Sequence, residues 1–177
     1  MIVNSHNDWD PLEEIIVGHA HHSRIATDIS ARSFSYANFP KEDVEKLEGP
    51  YPQWVIDEAN EDADGLAKAL EDLGVIVHRP KIIDWEQKSY DIGQGWQSKG
   101  WYSWCPRDLI LPLGDMLIET PTPVRARYFE TRLYEDIMYE AFEDGALWFS
   151  APKPKLHDDL YTFEDIENKP TLLNHEI

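Results

Sequence analysis

The residue types that could do chemistry in this chain are few. Asp108 follows Pro106-Arg107 and opens an apolar run, the position at which α/β sheets collect their polar site groups. A carboxylate there can accept two parallel hydrogen bonds from a guanidinium. It can equally pair with Arg107 or cap a turn, and spacing alone leaves both readings open. His19, His21 and His22 form the one histidine cluster. Imidazoles two and three apart can ligate a metal, but no carboxylate–histidine spacing of a metal motif accompanies them, and they read first as a polar strand end entering a loop. Cys105 is the single thiol and sits in Trp104-Cys105-Pro106. As a nucleophile it would need a lowered pKa and a nearby base, and no local signature provides either, so it reads as a small buried apolar residue. Arg125 and Arg127 could bind a carboxylate ligand, although structural ion pairs with the chain's excess acid are the simpler reading. Glu58, Glu61, Asp62 and Asp64 read as the solvated face of a helix.

The elements that must position these groups follow from periodicity. Glu13-Glu14-Ile15-Ile16-Val17-Gly18 is a buried strand bounded by glycine. His19 to Pro52 has no clear period and forms a long excursion, functional or carrying small elements. From Pro52, Trp54, Val55, Ala59, Ala63, Leu66, Ala67 and Leu70 make a helical stripe, stopped at Gly74. Val75-Ile76-Val77 is a second strand, and Ile82 to Trp104 reads as loop. Leu109–Leu113 and Met116–Glu119, separated by Gly114-Asp115, read as a hairpin, with Pro112 pushing its strand toward an edge. A second helix is predicted from Phe129 to Glu143 on Phe129, Leu133, Ile137, Met138 and Ala141, ended by Gly145. Leu147-Trp148-Phe149 is a further strand. The tail from Lys153 to Ile177 shows no convincing element. An internal echo links two stretches: Glu71-Asp72-Leu73-Gly74-Val75-Ile76-Val77 leading to Pro80-Lys81, and Glu143-Asp144-Gly145-Ala146-Leu147-Trp148-Phe149 leading to Pro152-Lys153. A repeated helix–glycine–strand unit suggests a pseudosymmetric α/β architecture.

Composition bounds the function classes. The chain has 177 residues, 16 Lys+Arg against 34 Asp+Glu and a net charge of −18. At ~150 residues per domain this is a single domain spanning 1–177, or an incomplete larger one. The acidic balance argues against nucleic acid and anionic membrane surfaces as partners. No apolar run approaches the ~20 residues of a membrane span, and Met1 to Asp10 lacks the pattern of a signal peptide. One cysteine suggests a reducing compartment. The expectation is a soluble, cytoplasmic, globular protein.

With these residues placed, the chain resembles the glycine and inosamine-phosphate amidinotransferase family. Asn7-Asp8-Trp9-Asp10-Pro11-Leu12-Glu13-Glu14 with Ile16-Val17-Gly18 is similar to the family's opening block. Arg79-Pro80 with Asp84-Trp85, Tyr102-Ser103, Pro106-Arg107-Asp108, Ile118-Glu119, Arg125-Ala126-Arg127 with Phe129-Glu130, and Ala151-Pro152-Lys153-Pro154 with Leu160-Tyr161 match in order. Asn174-His175-Glu176 resembles the lead-in to the family's Phe-Asp-Ala-Ala motif. The resemblance implies an α/β fold: a partial pentein (α/β propeller) of ββαβ-type units, its ring incomplete, with the echo as two of those units. It implies transfer of an amidino group from arginine to an amine acceptor, glycine or an inosamine phosphate, through an amidino-cysteine intermediate. It implies neither cofactor nor metal. Asp108 matches the family's Pro-Arg-Asp carboxylate, which contacts the substrate's guanidino group, so Asp108 is the one substrate-binding residue carried over.

The resemblance carries over no catalytic residue. The family's catalytic aspartate, histidine and cysteine belong to motifs that lie beyond the matched blocks, and His175 and Cys105 sit in other motifs. The expectation is a protein inactive alone, with its arginine-like ligand weakly bound or unbound, that self-associates or pairs with a missing C-terminal half. A stand-alone non-catalytic binding or scaffold protein, and one subunit of a split amidinotransferase, are the alternatives.

Overall fold

A computed structural model describes residues 3–86, 90–91, 97–154 and 156–161. Asn174-His175-Glu176, most of the expected tail and part of the expected 82–104 loop lie outside the described residues.

Strand β1 (Glu14–Ile16) pairs in parallel with β4 (Ile76–His78), Glu14 opposite Ile76 and Ile16 opposite His78. Parallel neighbours need a crossover, and α3 (Gln53–Asp72) provides it. The intervening excursion carries small elements. β2 (Arg24–Ile25) pairs antiparallel with β3 (Gly49–Pro50). Between them lie α1 (Ile29–Ser35), whose first turn is capped by the Asp28 carboxylate, and the short α2 (Lys41–Glu45). β5 (Tyr90–Asp91) and β6 (Gln97–Ser98) form a second small ladder inside the stretch expected as loop.

The second half is a β-β-α-β run. β7 (Ile110–Leu113) turns at Gly114-Asp115 into antiparallel β8 (Met116–Glu119). Helix α4 (Glu135–Glu143) then crosses to β9 (Leu147–Ser150), parallel to β8. β7, which carries Pro112, is an edge strand as expected. The internal echo is therefore structural, since α3–β4 and α4–β9 each return a helix to a parallel strand. Gly74 (φ 87°) and Gly145 (φ 104°) take the left-handed turn after each helix, where a Cβ would be strained. The strands form no closed barrel among the described residues.

Two helical expectations shift. Trp54 and Leu66, assigned to the buried stripe of α3, are 65% and 54% exposed; Ala67 of that stripe is buried, together with Ile56 from outside it. The second helix begins at Glu135, not Phe129; Arg125–Arg127 and Glu130–Leu133 are tight 3₁₀ turns. A 3₁₀ turn stacks positions three apart on one face, which puts Arg127 and Glu130 together, as described below.

The main core packs Trp85, Leu109, Ile110, Leu117, Leu133, Tyr134 and Met138, with Ile16 against it from the first unit. Burying each such side chain contributes roughly 1.5–3 kcal/mol. The two units are also tied by backbone. Ser5 bridges Gly114 at the hairpin turn, Lys81 N–H donates to the Leu133 carbonyl at 2.9 Å, and His19 bridges Ser103. No described helix is long and apolar enough to cross a membrane.

At the end of β1 the chain passes so close to the 103–104 backbone that a Cβ on Gly18 would lie 2.3 Å from the Ser103 carbonyl oxygen and 2.4 Å from the Trp104 Cα. Backbone cannot swing aside as a side-chain tip can. Gly18→Ala is therefore expected to lower unfolding free energy by about 3 kcal/mol, read from urea denaturation. A loss under ~0.5 kcal/mol would mean that this contact is looser than described.

Candidate guanidinium-binding site

Asp108 ends a 3₁₀ turn, Pro106–Asp108, that leads into β7. Its carboxylate is partly exposed, and its two oxygens have different surroundings. Oδ2 accepts a 2.7 Å hydrogen bond from Arg127 Nη1. Oδ1 lies 3.7 Å from Nη2 of Arg107, a side chain 95% exposed to solvent. One oxygen is thus fixed by a buried cation, and among the described residues the other meets a loose surface partner.

Arg127 is buried and divides its donors among three acceptors. Nε donates to Glu130 Oε2 at 2.6 Å and Nη2 to Glu130 Oε1 at 3.1 Å. Nη2 also reaches the Cys105 carbonyl at 3.2 Å. The guanidinium lies 5.0 Å over the Tyr102 ring. Burial pushes the Glu130 carboxyl up to about 7, opposed by the hydrogen bonds and charge of Arg127. Arg127 itself is held above its ordinary range by those carboxylates despite burial. The Tyr102 ring stacks on Trp104 at 5.0 Å, and burial raises its phenol to about 12, so it stays neutral near pH 7.

The other sequence candidates resolve into different roles. Burial, then the Asp108 charge, push the Cys105 thiol up, opposite to what a thiolate nucleophile needs. Arg125 donates to the Leu156 carbonyl and pairs with Asp158. The simpler reading of both arginines as ion-pair partners of acidic residues describes them. The three histidines go to separate partners. His19 lies between Ser103 Oγ (2.9 Å) and the Lys81 carbonyl (3.4 Å), His21 beside Asn60 (3.3 Å), and His22 beside Asp84 (3.5 Å). Asp64, on the acidic face of α3, pairs with Arg79 at 2.8 Å.

Sequence reasoning missed the role of Glu130. The signal was an Arg-x-x-Glu spacing, which pairs on one face of a helical turn, but nothing in the pattern marked that turn as buried. Glu119 was missed in the same way. It is buried at the end of β8 and accepts from Lys153 Nζ (2.7 Å), Ser150 Oγ (2.6 Å) and Trp148 Nε1 (3.0 Å). Burial pushes its carboxyl up, but these donors outweigh it and hold it below its ordinary value.

No protein-family model matches the chain. Inosamine-phosphate amidinotransferase 1 of Streptomyces glaucescens is 42% identical over 161 residues, 90% of this chain and 46% of that protein. Mitochondrial glycine amidinotransferase of Xenopus laevis is 37% identical over 164 residues, 90% of this chain and 37% of its own length. The solved structure of the Streptomyces griseus inosamine-phosphate amidinotransferase superposes with a TM-score of 0.81 at 38% identity, covering 92% of this chain and 46% of that one. An amidinotransferase of the saxitoxin biosynthetic pathway from Microseira wollei gives 0.77 at 35% identity, covering 95% and 49%. The chain thus spans less than half the length of the curated relatives it matches.

The buried His19 supplies a pH test of the contact between β1 and the Ser103 segment. Burial first, then the neighbouring His21 and Arg79 charges, lower its pKa from 6.5 to about 4, against the Lys81 carbonyl. The folded state therefore binds fewer protons than the unfolded state between these values. The stability that His19 contributes is complete above about pH 6.5 and is lost as pH falls toward 4, by roughly 3 kcal/mol in all. The difference in unfolding free energy between the native chain and His19→Gln should shrink over that window. A difference constant from pH 7 to 4 would show His19 titrating normally.

Proposed function

We propose that this chain, a homologue of the N-terminal portion of the glycine and inosamine-phosphate amidinotransferases, supplies the guanidinium-recognising wall of an amidinotransferase site whose remaining groups come from sequence outside these 177 residues. The observation that most supports this reading is the asymmetric Asp108 carboxylate, with Oδ2 anchored by buried Arg127 and Oδ1 beside the solvent-exposed Arg107.

The chemistry follows from that asymmetry. A guanidinium presents parallel N–H donors and a delocalised positive charge. Asp108 Oδ1 accepts from it, fixing its plane and leaving the central carbon open to attack from one face. A cysteine thiolate adds to that carbon, and ornithine departs with a proton supplied by a general acid. The amidino-cysteine then passes its amidino group to the attacking amine, which loses a proton to the same acid–base group. In this reading Asp108 holds the substrate and the thiolate is contributed elsewhere. A reducing cytoplasm suits such a thiol.

A second feature supports an incomplete unit. Across the β7–β8–β9 sheet, Leu111, Ile118 and Phe149 form one cross-strand row, and Leu113, Met116 and Leu147 another. Four of these six side chains, those on β7 and β9, are about half exposed. A contiguous apolar face of this kind marks an interaction surface. We take it as the seat for the rest of the fold, or for a second copy of this chain in its absence.

The isolated chain is expected to release no ornithine from arginine plus glycine, and to bind arginine weakly by ligand-observed NMR, with Asp108→Asn reducing that binding at least fivefold. Ornithine release by the isolated chain would overturn the shared-site reading, and arginine binding indifferent to Asp108→Asn would overturn the role of Asp108. In light scattering the chain should run above monomer mass, and Leu111→Lys with Phe149→Lys should shift it to monomer; a monodisperse native monomer would remove the case for the apolar seat.

A further inference from the structure

A cavity of about 350 Å³ opens between β2, the Glu48–β3 corner, the 97–100 segment and the turn at Arg125-Ala126, and Asp108 does not line it. Three cations from three separate segments, Arg24, Lys99 and Arg125, line it together. That is a notable gathering in a chain with 16 basic residues against 34 acidic ones.

Arg24 is the unusual member. Its side chain is 8% exposed, and its nearest carboxylate oxygen, Glu48 Oε1, is 4.0 Å from Nη2, outside hydrogen-bond range. No other described acceptor engages its guanidinium, which carries five N–H donors. Two carboxylates, Glu48 and Asp28, line the cavity as well, and each carries other hydrogen bonds. Glu48 accepts from Thr27 Oγ1 (2.9 Å) and Lys99 Nζ (3.1 Å), and Asp28 Oδ1 accepts from the Ser30 and Ala31 backbone N–H groups at the start of α1. Arg125 is directed to Leu156 and Asp158. Ser98 Oγ is likewise engaged, donating to the Ala126 carbonyl and accepting from Gly100 N–H. A buried guanidinium with no acceptor within hydrogen-bond distance is costly even beside a counter-charge, and Arg24 lines open space.

We propose that this cavity binds a small metabolite through an oxyanion group, carboxylate or phosphate, whose oxygens complete the hydrogen bonding of Arg24. The planar guanidinium fork suits two oxygens of one such group. Lys99, exposed at the rim and hinged on Glu48, adds a second positive charge at the mouth. The volume falls in the range of small-molecule sites, so the anion is one end of a larger molecule.

The test uses the full chain with inorganic phosphate and, separately, acetate, each against potassium chloride at matched ionic strength. Saturable thermal stabilisation by phosphate or acetate above chloride is expected, with a half-saturating concentration in the millimolar range. A phosphate-only response assigns a phosphorylated ligand, and an equal acetate response a carboxylate. Arg24→Gln should weaken the response at least tenfold and Lys99→Gln about threefold. Lys46→Gln, which alters an exposed pair with Asp43, should leave it unchanged. No anion-specific effect, or full retention in Arg24→Gln, would overturn the proposal and leave Arg24 as a water-bridged partner of Glu48. Should Arg24→Gln fail to fold, slower amide exchange at residues 24–27 of the native chain on adding phosphate, together with the Lys99→Gln shift, supports the site; absence of both overturns it.

Discussion

The charge on Arg127 is the constraint around which the candidate site is arranged. A guanidinium removed from water must find acceptors for its fixed fork of donors. Those acceptors come from a turn before β7 and a turn before α4, segments far apart in sequence. Satisfying Arg127 therefore fixes the 102–108 loop against the 125–133 loop, and with them the entry to β7. Glu130 takes two of the hydrogen bonds. Asp108 takes one, so its outer oxygen keeps negative character toward solvent. The same interaction that stabilises the fold leaves a half-used carboxylate at the surface, which is what recognition of a planar cation requires.

How much of this was legible in sequence depends on whether local period and tertiary packing agree. For β1, β4, β7, β8 and β9, β-branched and apolar runs bounded by Gly or Pro coincide with the observed ladders, because burial and local propensity demand the same residues there. Helix α3 was legible in extent but not in orientation. Trp54, Leu66 and Ala67 all fit an apolar stripe by spacing, yet of these only Ala67 is buried, beside Ile56, which the stripe left out. At 129–134 the apolar spacing continued the helix past its true start. The ion pair within 127–130 and the fully buried Tyr134, whose hydroxyl donates to the Ser103 carbonyl at 3.0 Å, hold that stretch in 3₁₀ turns. The ion pair is local, but the Tyr134–Ser103 contact joins groups 31 residues apart, so no window of local pattern contains the whole override. The position of Asp108 just before a strand was legible from its spacing. Its anchoring through Glu130 was not, since burial of an Arg-x-x-Glu pair leaves no trace in spacing.

The internal echo shows where repetition of the backbone ends and differentiation of side chains begins. Both units turn at a left-handed glycine after a crossover helix and then reach a Pro-Lys pair. Lys153 stays within its own unit, bonded to Glu119 and Thr131. Lys81, at the echoed position, reaches across to Glu135 and Asp136 at the start of α4, and its N–H bonds the Leu133 carbonyl. The first lysine is an inter-unit strap near the positive N-terminal end of a helix dressed with acid; the second closes a buried carboxylate. Equivalent positions thus serve a contact between units in one case and a contact within a unit in the other. That is the pattern expected when neighbouring units pack side by side and each must present a different edge. It leaves the second unit's outer sheet face, with its two apolar rows, as the surface with no described neighbour. A chain of net charge −18 gains solubility from its acidic helices, yet charge placed on α3 does nothing to cover Leu111 or Phe149. The apolar rows and the half-used Asp108 carboxylate are thus two open features of one chain, one apolar and one acidic, and the neighbour proposed above would cover the first and complete the second.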